Sequence, residues 1–350
     1  MILFYTGSYT QEATPANNPK GQGIGCFELN QKSGEVRLCA YTKQRNPSYL
    51  VISKNKKYLY AVEEMFESLK PKIFSYSICE QGVLKPINSQ KMVGDYACHL
   101  AIIQDRLVVA NYVSGNALSY PILEDGSLAP CHQVIQHVGT GENKERQETA
   151  HVHMVCPFKT NQMFLVDLTL DKAKAYELND NTKNWDTVLE LDVNVERGSG
   201  ARHMVLDETH NYAYILSELT GHVFVLKKGK NEFEQLQKIY SVPKNYNEGF
   251  GGAAIRLHPS GQFLYTSIRG SNTLTVFKVN KKNKTLSLVA YQSSEGKTPR
   301  DFNIDISGRW LIVANQDSDS IVVFKIDQKT GMLTKIHKSI VETPVNISWL

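Results

Sequence analysis

A unit of about fifty residues is written seven times along this 350-residue chain, and that periodicity leaves few folds open. Aligned on the middle of each unit, Thr6, Ala61, Ala110, Val166, Leu216, Thr266 and Ala314 follow one another at steps of 55, 49, 56, 50, 50 and 48 residues. Segments beginning at Tyr49, His203, Ile255 and Phe302 each read as an apolar run, a polar turn and a second apolar run. A third alternating run follows, as at 273–280 and 320–327, then a turn and a fourth run. Four short strands in a repeat of this length make one propeller blade, and no apolar spacing of 3.6 is sustained for more than a turn. The expectation is an all-β, seven-bladed β-propeller with four antiparallel strands per blade, residues 1–350 forming a single domain.

The last unit stops after its first strand, in TPVNISWL (343–350), whereas the opening ILFYTGSYT (2–10) matches a second strand. One blade is therefore expected to be shared, the C-terminal run supplying its innermost strand and the N-terminal run the next, which hides two edges. Such closure leaves no long unpaired strand, so a monomer is expected. The net charge of +4 is mild and the lysines are scattered over turns, which argues against a nucleic-acid surface. Met1 leads straight into a strand-like run and no apolar stretch approaches the roughly 20 residues that span a bilayer, so a cytoplasmic protein with no membrane partner is expected. Six cysteines without a CxxC pair read as buried free thiols rather than a disulfide framework or a zinc site.

In a blade the first strand lines the central channel and the second runs antiparallel to it, so the start of one and the end of the other open on the same mouth. First-strand starts read Ser48, His99, His153, His203, Ala253 and Asp301, with Cys98, Arg202 and Arg300 just before; second-strand ends read Glu64, Asn111, Asp167, Glu218, Arg269 and Asp317. Imidazoles, carboxylates and guanidinium groups thus gather at one rim while the strand middles stay apolar. Charge is costly to desolvate, so the gathering points to a site. His151 and His153 are two apart and share a strand face, but a one-residue register decides which of them looks into the channel. No third ligand of matching register accompanies them, so neither a metal nor another cofactor is expected. His99 reads as a satisfied core histidine, and His132, His137, His210, His222, His258 and His337 as surface or turn residues. Glycine-containing loops at 140–153, 197–203, 247–254 and 295–301 feed the rim, where backbone amides can approach a ligand.

The segments AHVHMV (150–155), GSGARHMVL (198–206), SIRGSNTLTVF (267–277) and above all GKTPRDFNIDISGRWLIVANQDSDSIVVF (296–324) resemble the seven-bladed lactonase family, which includes propeller-type 6-phosphogluconolactonases and fungal carboxy-muconate cyclases. The likeness covers essentially the whole chain. It implies a hydrolase of carbohydrate metabolism that opens a sugar lactone, with 6-phosphogluconolactone of the pentose phosphate pathway as the leading substrate. It also implies that His153, Arg202, Glu218 and Arg269 surround the ligand. Ile268 stands where such proteins tend to show Asn, which removes a hydrogen bond to Arg269.

Lactone hydrolysis needs an activated water, a stabilised oxyanion and a proton for the departing alkoxide. His153 suits the general base, with Glu218 sharing that task or fixing the imidazole, while Arg202 and Arg269 suit the oxyanion. Lys297 and Arg300, beside Gly296, are expected to anchor a phosphate, and His151, His203, Asp167 and Asp301 to complete the substrate-binding rim. No GxSxG elbow, HExxH, Walker motif or strand-linked GxGxxG is present. Two other readings stay open at this level. One is a muconate-type lactonising cycloisomerase that uses the same residues. The other is a non-catalytic propeller that offers a protein partner an aromatic face of Tyr9, Tyr112, Tyr246 and Phe250.

Overall fold

The computed structural model describes every residue except 13, 14, 17 and 231. Residues 50–91, 97–136, 152–187, 201–240, 251–293 and 299–340 fold six consecutive antiparallel blades, and a seventh joins Pro344–Trp349 to Ile2–Ser8, Ile24–Leu29 and Val36–Thr42. The innermost strands are Leu50–Ile52, Ala97–Ile103, Val152–Phe158, Ala201–Leu206, Gly251–Leu257, Pro299–Ile304 and Pro344–Trp349. Each packs on the next and the last on the first, so the ring is closed. In the shared blade Phe4 lies opposite Trp349 and Thr6 opposite Ile347, the pairing that the broken repeat predicts.

Position within a blade explains each strand's composition. Second strands such as Trp310–Asn315 are buried at every residue, because neighbouring sheets cover both faces, and so they read as continuous apolar runs. Outer strands such as Leu333–Ile340 are mostly exposed and carry the polar residues. The apolar side chains collect into seven clusters, each shared by two consecutive blades, as where Phe164 and Val166 meet Met204, Ile215 and Phe224. Burial of one such side chain stabilises by about 1.5–3 kcal/mol, and a blade obtains it only from its neighbours. Turns from first to second strand are set by Asp207 and Asp305. Their Oδ1 atoms accept the N–H groups of Asn211 and Tyr212, and of Arg309 and Trp310, at 2.7 to 3.0 Å. Among the described residues no helix is long and apolar enough to cross a membrane.

One irregularity recurs and positions the site. Six of the seven innermost strands shift register against their second strand. Ala97 pairs with Asn111 and His99 with Ala110, which leaves Cys98 as the extra residue. By the same pairing His153 is extra between Val152 and Met154, Arg202 between Ala201 and His203, and Arg300 between Pro299 and Asp301. A bulge takes its residue out of the ladder and re-aims the side chain. The alignment of first-strand starts read from sequence is therefore one residue out in the blade at 152–187. Met154, opposite Val166, is the counterpart of His99, His203 and Asp301, while His153 is the counterpart of Cys98, Arg202 and Arg300.

Candidate active site

The bulged side chains meet in a cavity of about 150 Å³ at one end of the channel. Cys98, His153, Arg202 and Arg300 line it from the bulges. Tyr112, Glu218 and Arg269 line it from the position just past the second-strand residue that pairs above each bulge, namely Asn111, Ser217 and Ile268. Pro15, Glu64, Tyr96 and Arg146 complete the wall. Two positions per blade thus supply most of the site, drawn from five blades that follow one another at about fifty residues.

Glu218 is its electrostatic centre. Oε2 lies 2.8 Å from both Arg202 Nε and Arg269 Nη2, and Oε1 lies 2.5 Å from Arg146 Nη2. Burial by itself raises the carboxyl, but Arg269 and Arg202 reverse the effect and hold it well below the usual carboxylate range, so Glu218 is anionic. Arg202 is pushed down to about 10 by burial and by Arg269 beside it, and it keeps its charge near neutral pH. Its Nη1 donates to the Ala253 carbonyl and lies 3.3 Å from His203 Nε2. Arg269 Nη2 donates to Gly252 O at 3.2 Å. Glycine is required at Gly252, where a Cβ would meet Ser217 O at 2.2 Å, and one on Gly251 would press on the Arg269 tip at 2.7 Å. Arg269 Nε is buried without a partner among the described residues, in keeping with the apolar Ile268 before it.

His153 is buried, with Nδ1 3.9 Å from Cys98 Sγ, and Cys98 donates to the His153 carbonyl at 3.5 Å. Burial, reinforced by Arg202, depresses its pKa well below that of an ordinary histidine, so the ring is neutral at neutral pH. Burial pushes the Cys98 thiol up, which keeps it protonated. Arg300 lies over the Tyr9 ring, 5.3 Å from its centroid, with Nη2 3.6 Å from Glu64 Oε1, while the Tyr9 hydroxyl donates to Glu64 Oε2 at 2.8 Å.

His153, Arg202, Glu218, Arg269 and Arg300 of the expected site therefore share one cavity, and the other expected residues lie elsewhere. Asp167 is fully buried inside its blade. Its Oδ2 lies 2.7 Å from His137 Nδ1, and its Oδ1 accepts the N–H groups of His151, Thr169 and Leu170 at 3.2, 2.9 and 3.0 Å. His151 donates from Nδ1 to Tyr112 O at 2.9 Å, stacks on the Tyr112 ring at 4.4 Å and meets Glu148 through Nε2, so it braces a cavity residue from behind. Asp301, one residue past the bulge, holds Arg256 at 2.8 Å and Asn346 at 2.8 Å deeper in the channel. His203 sits at the same depth, edge-on to His153 and His99 at 5.3 and 5.6 Å. Lys297 is exposed and does not line the cavity. His137 and His258 are buried rather than on the surface. Of the aromatic residues expected on a docking face, Tyr9 is fully buried, whereas Tyr112, Tyr246 and Phe250 are partly exposed. Glycines 198 and 200 turn their amides onto Asp171 at 2.7 and 2.6 Å and not toward the cavity. Arg146 was not anticipated. It lies in the rim loop at 140–153, whose lack of a counterpart in other units gives no register from which to place it.

Comparison with known proteins places the whole chain in one family. A family profile described as "Lactonase, 7-bladed beta-propeller" matches residues 3–349. A 6-phosphogluconolactonase of Bacillus subtilis is 31% identical over 99% of this chain and 97% of its own length, and one of Formosa agariphila is 33% identical over 96% of each. The solved structure of a periplasmic gluconolactonase from Pseudomonas aeruginosa superposes with a TM-score of 0.91 at 27% identity, covering 100% of this chain and 99% of that one. The chain belongs to the lactonase family of seven-bladed β-propellers, a family of hydrolases.

Proposed function

We propose that the enzyme hydrolyses 6-phosphogluconolactone to 6-phosphogluconate in the cavity at the channel mouth. The observation that carries this reading is His153 in one cavity with two guanidinium groups that Glu218 holds in place. Four arginines against two glutamates line the cavity, an excess of two positive charges that complements a phosphomonoester, which bears nearly two negative charges at neutral pH. The names of the Bacillus and Formosa relatives point the same way. The protein acts as one domain and as a monomer, and its six free thiols suit a reducing compartment.

In the proposed reaction His153 takes a proton from water as the oxygen attacks the lactone carbonyl. Arg202 and Arg269 hold the carbonyl oxygen as it becomes an oxyanion, each well-placed donor contributing about 3 kcal/mol. Collapse of the tetrahedral intermediate breaks the ring C–O bond, and the His153 imidazolium returns its proton to the leaving alkoxide. The new carboxylic acid then ionises. Glu218, locked as an anion and not hydrogen-bonded to His153 among the described residues, serves by fixing the arginines rather than by accepting the proton. Ring opening of 6-phosphogluconolactone measured against its spontaneous hydrolysis tests the proposal. The His153→Ala variant should lose about 10²–10⁴ in kcat. An unchanged rate removes His153 from the mechanism, and turnover of muconolactone-type acids instead would move the enzyme to the cycloisomerases.

A further inference from the structure

We propose that Arg146 is the residue with which this enzyme distinguishes a phosphorylated lactone from its unphosphorylated counterpart, an inference that rests on the lactonase reading above. The four cavity arginines are not equally committed. Arg202 and Arg269 are tied to backbone carbonyls of Ala253 and Gly252, and their side chains are 3% and 22% exposed. Arg300 is 12% exposed and packed on Tyr9. The Arg146 side chain is 44% exposed, it comes from a connection between blades, and its partners among the described residues are both side chains, Glu218 Oε1 at 2.5 Å and the Tyr112 hydroxyl at 3.2 Å.

Glu218 does not depend on Arg146. Its Oε2 already faces two guanidinium groups, so the carboxylate stays neutralised when Arg146 turns away. The backbone beneath Arg146 is pinned meanwhile. The neighbouring Gln147 is fully buried, donates to Leu168 O at 2.8 Å and Asp171 Oδ1 at 3.1 Å, and accepts from Asn143 N at 3.0 Å. A fixed root, a half-exposed cationic tip and replaceable partners at the cavity wall are what an anion-capturing side chain requires. A phosphate group at the mouth draws Arg146 off Glu218 into charge-assisted, bidentate hydrogen bonds. An unphosphorylated aldonolactone offers no such group.

The test is the ratio of kcat/KM on 6-phosphogluconolactone to kcat/KM on gluconolactone, for wild type, Arg146→Gln and Arg146→Lys. In Arg146→Gln this ratio should fall roughly 10- to 100-fold, mainly through KM, with Arg146→Lys in between. Calorimetric titration of 6-phosphogluconate and gluconate should show the same loss of discrimination without turnover. An unchanged ratio, or a loss shared equally by both lactones, overturns the assignment. A wild type that opens neither lactone sinks the lactonase reading itself. The titration then still judges Arg146, since equal affinity of wild type and Arg146→Gln for 6-phosphogluconate rejects it.

Discussion

Asp167 and Glu218 stand at the ends of second strands in neighbouring blades, and one step of register separates their fates. Asp167 is the last residue of its strand, paired with Val152 just above the bulge, and it faces the interior of its sheet. Glu218 follows Ser217, the residue that pairs above the corresponding bulge, and it faces the channel. The first gives its oxygens to three backbone N–H groups and His137, the second to three guanidinium groups. Both are buried acids in the same part of the repeat. Which way the strand end points, and not residue type, separates a carboxylate that braces one blade from a carboxylate that gathers the guanidinium groups of the cavity.

The sharpest way to break this contrast is Glu218→Ala, which leaves Arg202 and Arg269 buried without their carboxylate. It should cost about 3–5 kcal/mol in urea unfolding and abolish turnover. A loss below about 1 kcal/mol would show that the arginines find other partners and that Glu218 is no electrostatic centre. Asp167→Ala strands three N–H groups and His137, and should cost about 2–3 kcal/mol while the folded fraction keeps its KM. A large rise in KM would place Asp167 in the cavity's service and dissolve the distinction. The smallest effect per group is expected from pH. Burial holds His99, His153 and His203 well below the ordinary histidine range, helped by Arg256 at His99 and by Arg202 at the other two. Unfolded, each takes up a proton near pH 6.5, and folded it does not. The unfolded state therefore binds more protons below that value, and stability falls as pH drops through it, by up to about 1.4 kcal/mol per pH unit per histidine. Unfolding midpoints measured at about pH 7.5 and about pH 5.5 read this, and kcat/KM should show no acid limb near 6.5. A limb there would mean that His153 titrates as an exposed residue.

The ring was legible in sequence because seven apolar patterns repeat at nearly constant spacing, and Thr6 to Ala314 all fall on second strands as the spacing requires. Pairing of the chain ends was equally readable from the broken last unit. The site was legible only to within a residue. A bulge adds one unpaired residue without any marker of composition, so the equivalence of His153 with Cys98, Arg202 and Arg300 was hidden behind the more obvious row of histidines. The same single step carried Asp167, His203 and Asp301 into the expected rim and out of the observed cavity. Arg146 was beyond the reach of this reasoning, since a connection that occurs once offers nothing to align.

The guanidinium groups of the cavity are also rivets. Arg202 crosses to Ala253 in the following blade, Arg269 crosses back to Glu218 in the preceding one, and deeper in the channel Arg256 reaches Asp301. Each fastening runs around the hoop rather than along a sheet, so in the proposed mechanism hoop tension and turnover both draw on Arg202 and Arg269. On that mechanism, heat tolerance selected at Arg202 or Arg269 alters substrate handling, and altered substrate handling loosens or tightens the ring. Variants that separate the two properties must be sought at the outer strands, which are mostly exposed and contribute none of the residues that line the cavity.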